Sequence, residues 1–184
     1  MKGFIITLCA PLLFSLFSFS YAHEREAVQG APQQAERITY PEVVKIHPPA
    51  VHFAIALPVF ALLVGAMYHL RGREPDEVEL MTLLLASGAV VAASITGYVA
   101  HESMEHLPIT EEALGVLHTH ETLGIGIAVL FSIIAVLRIA YMLKASKVIH
   151  RLYMLLLLVG VVLLFLQGNH GGRLVYEFGL GVSR

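Results

Sequence analysis

From about residue 48 the chain alternates long apolar stretches with short polar turns. The apolar stretches run about 48–70, 78–100, 117–143 and 152–167. At 1.5 Å per residue the first of them covers roughly 35 Å, enough to cross a bilayer with some tilt. Pro48 and Pro49 suit the opening of this helix, where a missing N–H costs nothing. The second stretch is rich in small residues, among them Ala86, Ser87, Gly88, Ala92, Ala93 and Gly97. Such residues let helices pack closely or let a flat cofactor approach. The pattern predicts an all-α, integral membrane four-helix bundle.

The first residues follow a different pattern. Lys2 gives a positive start, Phe4 to Phe19 an apolar middle, and Ser20-Tyr21-Ala22 small residues at the positions a signal peptidase reads. Residues 1–22 are therefore expected to be a cleaved signal peptide. Residues 23–46 are polar and form a periplasmic lead, and 47–182 make the transmembrane domain. Gly171-Gly172 is expected to end the fourth helix, leaving a glycine-punctuated tail.

Composition agrees with the membrane reading. Of the 184 residues 57% are hydrophobic and 14% charged, and the mean hydropathy is +0.73. A net charge of −2 with no basic block excludes nucleic-acid binding. The single cysteine, Cys9, lies in the predicted signal segment, so there is no disulfide framework, no CxxCH haem-attachment motif and no thiolate metal site. Any metal or cofactor must be held by His, Glu, Asp, Met or backbone.

Charge also orients the bundle. Arg138, Lys144, Lys147 and Arg151 cluster at one end, with Arg71 and Arg73 on the same side, whereas residues 101–117 contain no Lys or Arg. The positive-inside rule puts 101–117 outside, in agreement with a secretory signal. This predicts a multi-pass protein of the bacterial inner membrane, with the mature N-terminus in the periplasm.

The candidate chemistry gathers on that outer side. Threading the spans brings His47, His52, His101, His106, His118, His120 and His170 to one surface. Ionisable groups in membrane helices generally face the bundle interior and mark functional sites, and bundle cores are where helical proteins build cofactor sites. Gly97 and His101 are four apart, as are His120 and Gly124, so each pair shares a helical face. A glycine one turn deeper than a ligand leaves room for a broad ring, as a haem with axial histidines requires. His52, His101, His120 and His170 are the pool for two axial ligands. His120 is preferred over His118 because it shares a face with Gly124. Arg173 can meet a haem propionate, or pair with Glu177 four residues on. His69 and His150, at the opposite surface, can frame a second cofactor or simply lie at the interface.

The acids offer a different chemistry. His101 is four residues from Glu105, Glu102 is four from His106, and Glu121 follows His120. Mixed histidine and carboxylate sets suit zinc, copper or non-haem iron better than haem. This alternative site draws on His101, Glu105, His106, His118 and His120.

The segments His47-Pro-Pro-Ala-Val-His-Phe53, His120 at the opening of the third span, and Gly171-Gly-Arg-Leu-Val-Tyr-Glu-Phe-Gly-Leu-Gly-Val182 resemble a bacterial membrane family known as domain of unknown function 2231. The resemblance extends over about residues 47–182. It implies a four-helix inner-membrane module with a layout like that of b-type cytochromes, and no established reaction. Ala54 follows Phe53 where the family pattern favours proline. The expected function is a haem b electron-transfer module that exchanges electrons with a periplasmic cytochrome or quinone. A copper- or zinc-binding protein and a structural subunit of a homo- or hetero-oligomer are the alternatives. No GxSxG, HExxH or phosphate-binding glycine loop is present, so a standalone enzyme is not expected.

Overall fold

A computed structural model describes residues 42–104 and 107–181, without the side chain of Val43. The predicted signal peptide, the lead up to residue 41, Glu105, His106 and residues 182–184 lie outside the described residues. Four helices make up the fold: α1 (Glu42–Leu70), α2 (Glu77–Met104), α3 (Glu111–Leu143) and α4 (Lys147–Tyr176). Each is long and apolar enough to cross a membrane. Neighbours in sequence pack side by side, and α4 returns against α1 to close the ring.

The inside and outside of the bundle show why it needs lipid. The interior holds Leu83, Ala86, Val90, Phe131, Ile134 and Leu157, all nearly inaccessible. The outside carries Phe53, Phe60, Leu85, Ile95, Ile133, Val136, Leu155 and Phe165, all exposed. A continuous apolar exterior on helices whose backbone bonds are internally satisfied is the solution that hydrocarbon demands. Small residues set the helix spacing. A Cβ added to Gly160 would stand 2.7 Å from the ring of Phe131, so α3 and α4 approach closely there.

The helices overrun the expected spans at several ends, three of which show a particular local feature. α1 starts at Glu42, so Pro48 and Pro49 lie inside it rather than at its opening. Lacking N–H groups, they leave the carbonyls of Val44 and Lys45 without their usual donors. α3 starts at Glu111, where the Thr110 hydroxyl accepts a bond from the Ala113 amide (3.2 Å) and two glutamates occupy the first turn. α4 does not stop at Gly171-Gly172 but continues to Tyr176. Gly171 is used for a close approach instead: a Cβ there would sit 3.2 Å from Cε1 of His120. The chain reverses only at Gly179 and Gly181, with φ of 68° and 80°. The Leu180 amide then donates to the Leu174 carbonyl at 2.9 Å. Leu180 thereby closes one end of the bundle over a cluster that includes Val44, Ala100, Met104 and Leu117.

At the other end a polar network ties the helices together. Arg138, counted with the basic residues at one end of the bundle, lies within α3 with its side chain 2% exposed, and its Nε donates to Glu79, which is equally buried. Its Nη2 donates to the Asp76 carbonyl at 2.8 Å. The Asp76 carboxylate starts α2, accepting from the Val78 amide at 2.9 Å and from the Tyr68 hydroxyl at 2.7 Å. The Tyr68 bond, aided by the Val78 and Glu79 amides and by Arg73, holds the Asp76 carboxyl below its ordinary value of 3.8. A depressed folded-state value stabilises the fold above the unfolded pKa, and the contribution disappears as pH falls through the folded value. Asp76→Ala should therefore unfold more easily than the parent at neutral pH. The gap should close as acid takes the sample below pH 3.8. Far-UV dichroism melts in detergent at several pH values check this; a gap unchanged at low pH would contradict it.

Candidate metal centre

The histidine-bearing ends of α2 and α3 meet just beneath the Leu180 closure. His101, in the last turn of α2, is buried, with its side chain 4% exposed. Its Nδ1 lies 3.1 Å from Oε2 of Glu121, which is 18% exposed on α3. His118 stands on the same face of α3 as Glu121, three residues earlier and so one turn away. The His101 and His118 ring centroids are 5.1 Å apart and inclined at 67°. One donor atom from each of His101, His118 and Glu121 lies within 4.8 Å of the others.

Those dimensions can be set against a metal's needs. Zinc bound by imidazole and carboxylate at 2.0–2.2 Å in a tetrahedron separates its ligand atoms by about 3.4 Å. The His101–Glu121 edge already meets that spacing. The other two separations are no more than 4.8 Å, and His118 is the exposed member of the set. Two imidazoles and one carboxylate would supply three ligands to such an ion. Protection from water is graded across the set, from exposed His118 through half-buried Glu121 to buried His101.

The other predicted site residues are distributed around this group. His120 does not join it. Its carbonyl accepts a bond from Gln167 Nε2 at 2.8 Å, and its ring faces Gly171. The His120 ring stands edge-on to His47, with centroids 6.4 Å apart. Its Nδ1 is buried with no hydrogen-bond partner among the described residues. His47 Nδ1 is 3.2 Å from the Thr96 hydroxyl. The glycine notches hold side chains of the bundle. A Cβ on Gly97 would lie 2.8 Å from Cε1 of His47, and one on Gly124 would lie 3.0 Å from Nε2 of Gln167.

His52 is exposed on α1, its Nδ1 2.7 Å from the Pro48 carbonyl. His170 lies inside α4 rather than beyond it, and its Nδ1 is 2.9 Å from the Leu166 carbonyl. Arg173 Nε donates to Glu177 at 2.9 Å. Of the alternative acid and histidine set, Glu105 and His106 fall outside the described residues, and His118 is beside His101. His69 and His150 come together at the opposite end, with ring centroids 6.3 Å apart.

Sequence reasoning noted Glu121 only as the neighbour of His120 and left it out of the alternative metal set, although the His118–Glu121 spacing of three is a helical ligand pair legible in the chain. Thr96 and Gln167, which hold His47 and His120, carried no signal beyond being polar residues inside apolar runs.

A family model described as a predicted membrane protein (DUF2231) matches residues 44–184. Among curated proteins and among solved structures, no match to the chain is found.

Proposed function

The chain belongs to the DUF2231 family of predicted membrane proteins, and from that premise we propose that it binds a divalent transition-metal ion, zinc or copper, at its outer surface. His101, His118 and Glu121 would hold the ion. The observation that carries this reading is the convergence of their three donor atoms within 4.8 Å, from two helices. Imidazole and carboxylate together suit such ions. The fourth position of a tetrahedral ion would admit water or a ligand from an incoming donor, and the exposed His118 provides the route from solution. The site would face the periplasm across the bacterial inner membrane. The basic residues Arg71, Arg73, Lys144, Lys147 and Arg151 gather at the opposite end of the helices, which supports this orientation.

The experiment is elemental analysis of the full-length protein, purified in detergent without chelator and then exposed to limiting zinc or copper. About one metal per chain is expected in the parent. The paired variant His101→Ala/Glu121→Gln should carry none while keeping its helical dichroism. Equal metal in both proteins would overturn the reading.

A haem b electron-transfer module is the second reading, and one observation favours it. His52 and His170 each direct Nδ1 to a carbonyl one turn back, at 2.7 and 2.9 Å. That bond requires a proton on Nδ1 and leaves Nε2 as the ligand atom, the arrangement typical of metal-bound histidine. A haem so held would trade electrons with a periplasmic cytochrome or quinone. An absorption spectrum of protein from haem-supplied cells, oxidised and then dithionite-reduced, separates the two readings. A sharpened Soret band that is lost in His52→Ala or His170→Ala would establish haem, and a featureless spectrum would remove it.

A further inference from the structure

The end of the bundle opposite the histidine group opens into a cleft of about 1010 Å³ between the α1–α2 and α3–α4 turns. Its floor is the buried Arg138, already matched by Glu79. Of the other acids of the lining, Glu74 and Asp76 are engaged, and exposed Glu77, in the first turn of α2, has no ion-pair partner among the described residues. Glu74 accepts the Tyr141 hydroxyl at 2.7 Å. Asp76 takes the Tyr68 hydroxyl at 2.7 Å and the Arg73 guanidinium at 3.6 Å. Two cations of the lining, Lys147 and Arg151, have no acid within ion-pair distance among the described residues. They stand four residues apart on one face of α4 and so act on the same space.

The cleft is also amphipathic. Met142, Met154, Leu80 and Ala66 form apolar parts of its wall. Leu143, 86% exposed, and Val148, 73% exposed, lie at the nearby ends of α3 and α4. A soluble anion has no use for that apolar surround, whereas a lipid places acyl chains there and a phosphate beside the two cations. Basic pockets between membrane helices at the water boundary are suited to anionic headgroups.

We propose that this cleft binds the headgroup of an anionic glycerophospholipid, with its phosphate between Lys147 and Arg151. The site is separate from the metal centre and stands or falls without it. Arg71 and Lys144 sit at the same end outside the cleft lining, so they report on general surface charge alone.

The test uses full-length protein released from mixed micelles into native mass spectrometry with dioleoyl phosphatidylglycerol or dioleoyl phosphatidylcholine. Retention of phosphatidylglycerol should exceed that of phosphatidylcholine about fivefold or more. The preference should vanish in Lys147→Gln/Arg151→Gln and persist in Arg71→Gln/Lys144→Gln. Equal retention of the two lipids would overturn the proposal, as would equal loss in both variants. So would displacement of the lipid by millimolar inorganic phosphate, which would mark the cleft as a site for a free anion. Helical dichroism of each variant confirms that the comparison is between folded proteins.

Discussion

Replacing Arg138 with methionine is expected to destabilise the folded bundle by about 3–5 kcal/mol, the usual consequence of removing one partner from a buried ion pair. Glu79 would then be left charged or forced to take up a proton, in a place where it is 2% exposed. The Asp76 carbonyl would also lose the donor that Arg138 supplies at 2.8 Å, loosening the start of α2. The double variant Glu79→Leu/Arg138→Met removes both charges and fills the space with carbon. It should regain most of the loss, because the cost arises from the unpaired charge more than from the missing attraction. Unfolding in mixed micelles titrated with dodecyl sulfate, followed by far-UV dichroism, gives the four corners of the cycle. A double variant as unstable as the single would show instead that the pair holds the helices in register.

The second large effect falls on metal affinity. Changes in groups that only orient metal ligands already weaken binding 10–100-fold. Loss of a ligand itself should therefore weaken zinc binding by at least about 100-fold. His101→Ala removes the buried donor, and Glu121→Gln keeps the shape of its side chain while removing the negative charge. His52→Ala, on the exposed side of α1, should leave zinc affinity unchanged. Calorimetric titration of zinc into metal-free protein separates these outcomes. Equal affinities across the set would place the ion elsewhere.

These expectations rest on features of unequal visibility in the chain. The four helices were legible because hydrocarbon imposes long apolar runs, and 78–100 or 117–143 need no tertiary information to be read as helical. Their ends were less legible. The Gly171-Gly172 pair looks like a stop, yet it serves the approach of α4 to His120. The actual reversal at Gly179 uses the same residue type in a different role. Arg138 reads as one more member of the basic cluster because its partner lies 59 residues away in sequence, and only packing brings Glu79 to it. Side and depth suggest which histidines share an end, and the His101–His118 and His47–His120 ring pairs are found there. Which of His118 and His120 turns towards His101 cannot be read from the chain, because residues two apart point in different directions and the phase of α3 is fixed by its contacts. Glycine spacing suggested open notches at Gly97 and Gly124, but spacing cannot show that His47 and Gln167 fill them.

The most direct test of the metal centre is X-ray absorption at the zinc edge on the full-length protein loaded with one equivalent of zinc. The predicted spectrum has nitrogen and oxygen ligands at about 2.0–2.2 Å with the multiple scattering of two imidazoles. One imidazole should disappear in His118→Ala. A shell of oxygen alone, or a spectrum indifferent to the loss of His118, would contradict a centre built from His101, His118 and Glu121.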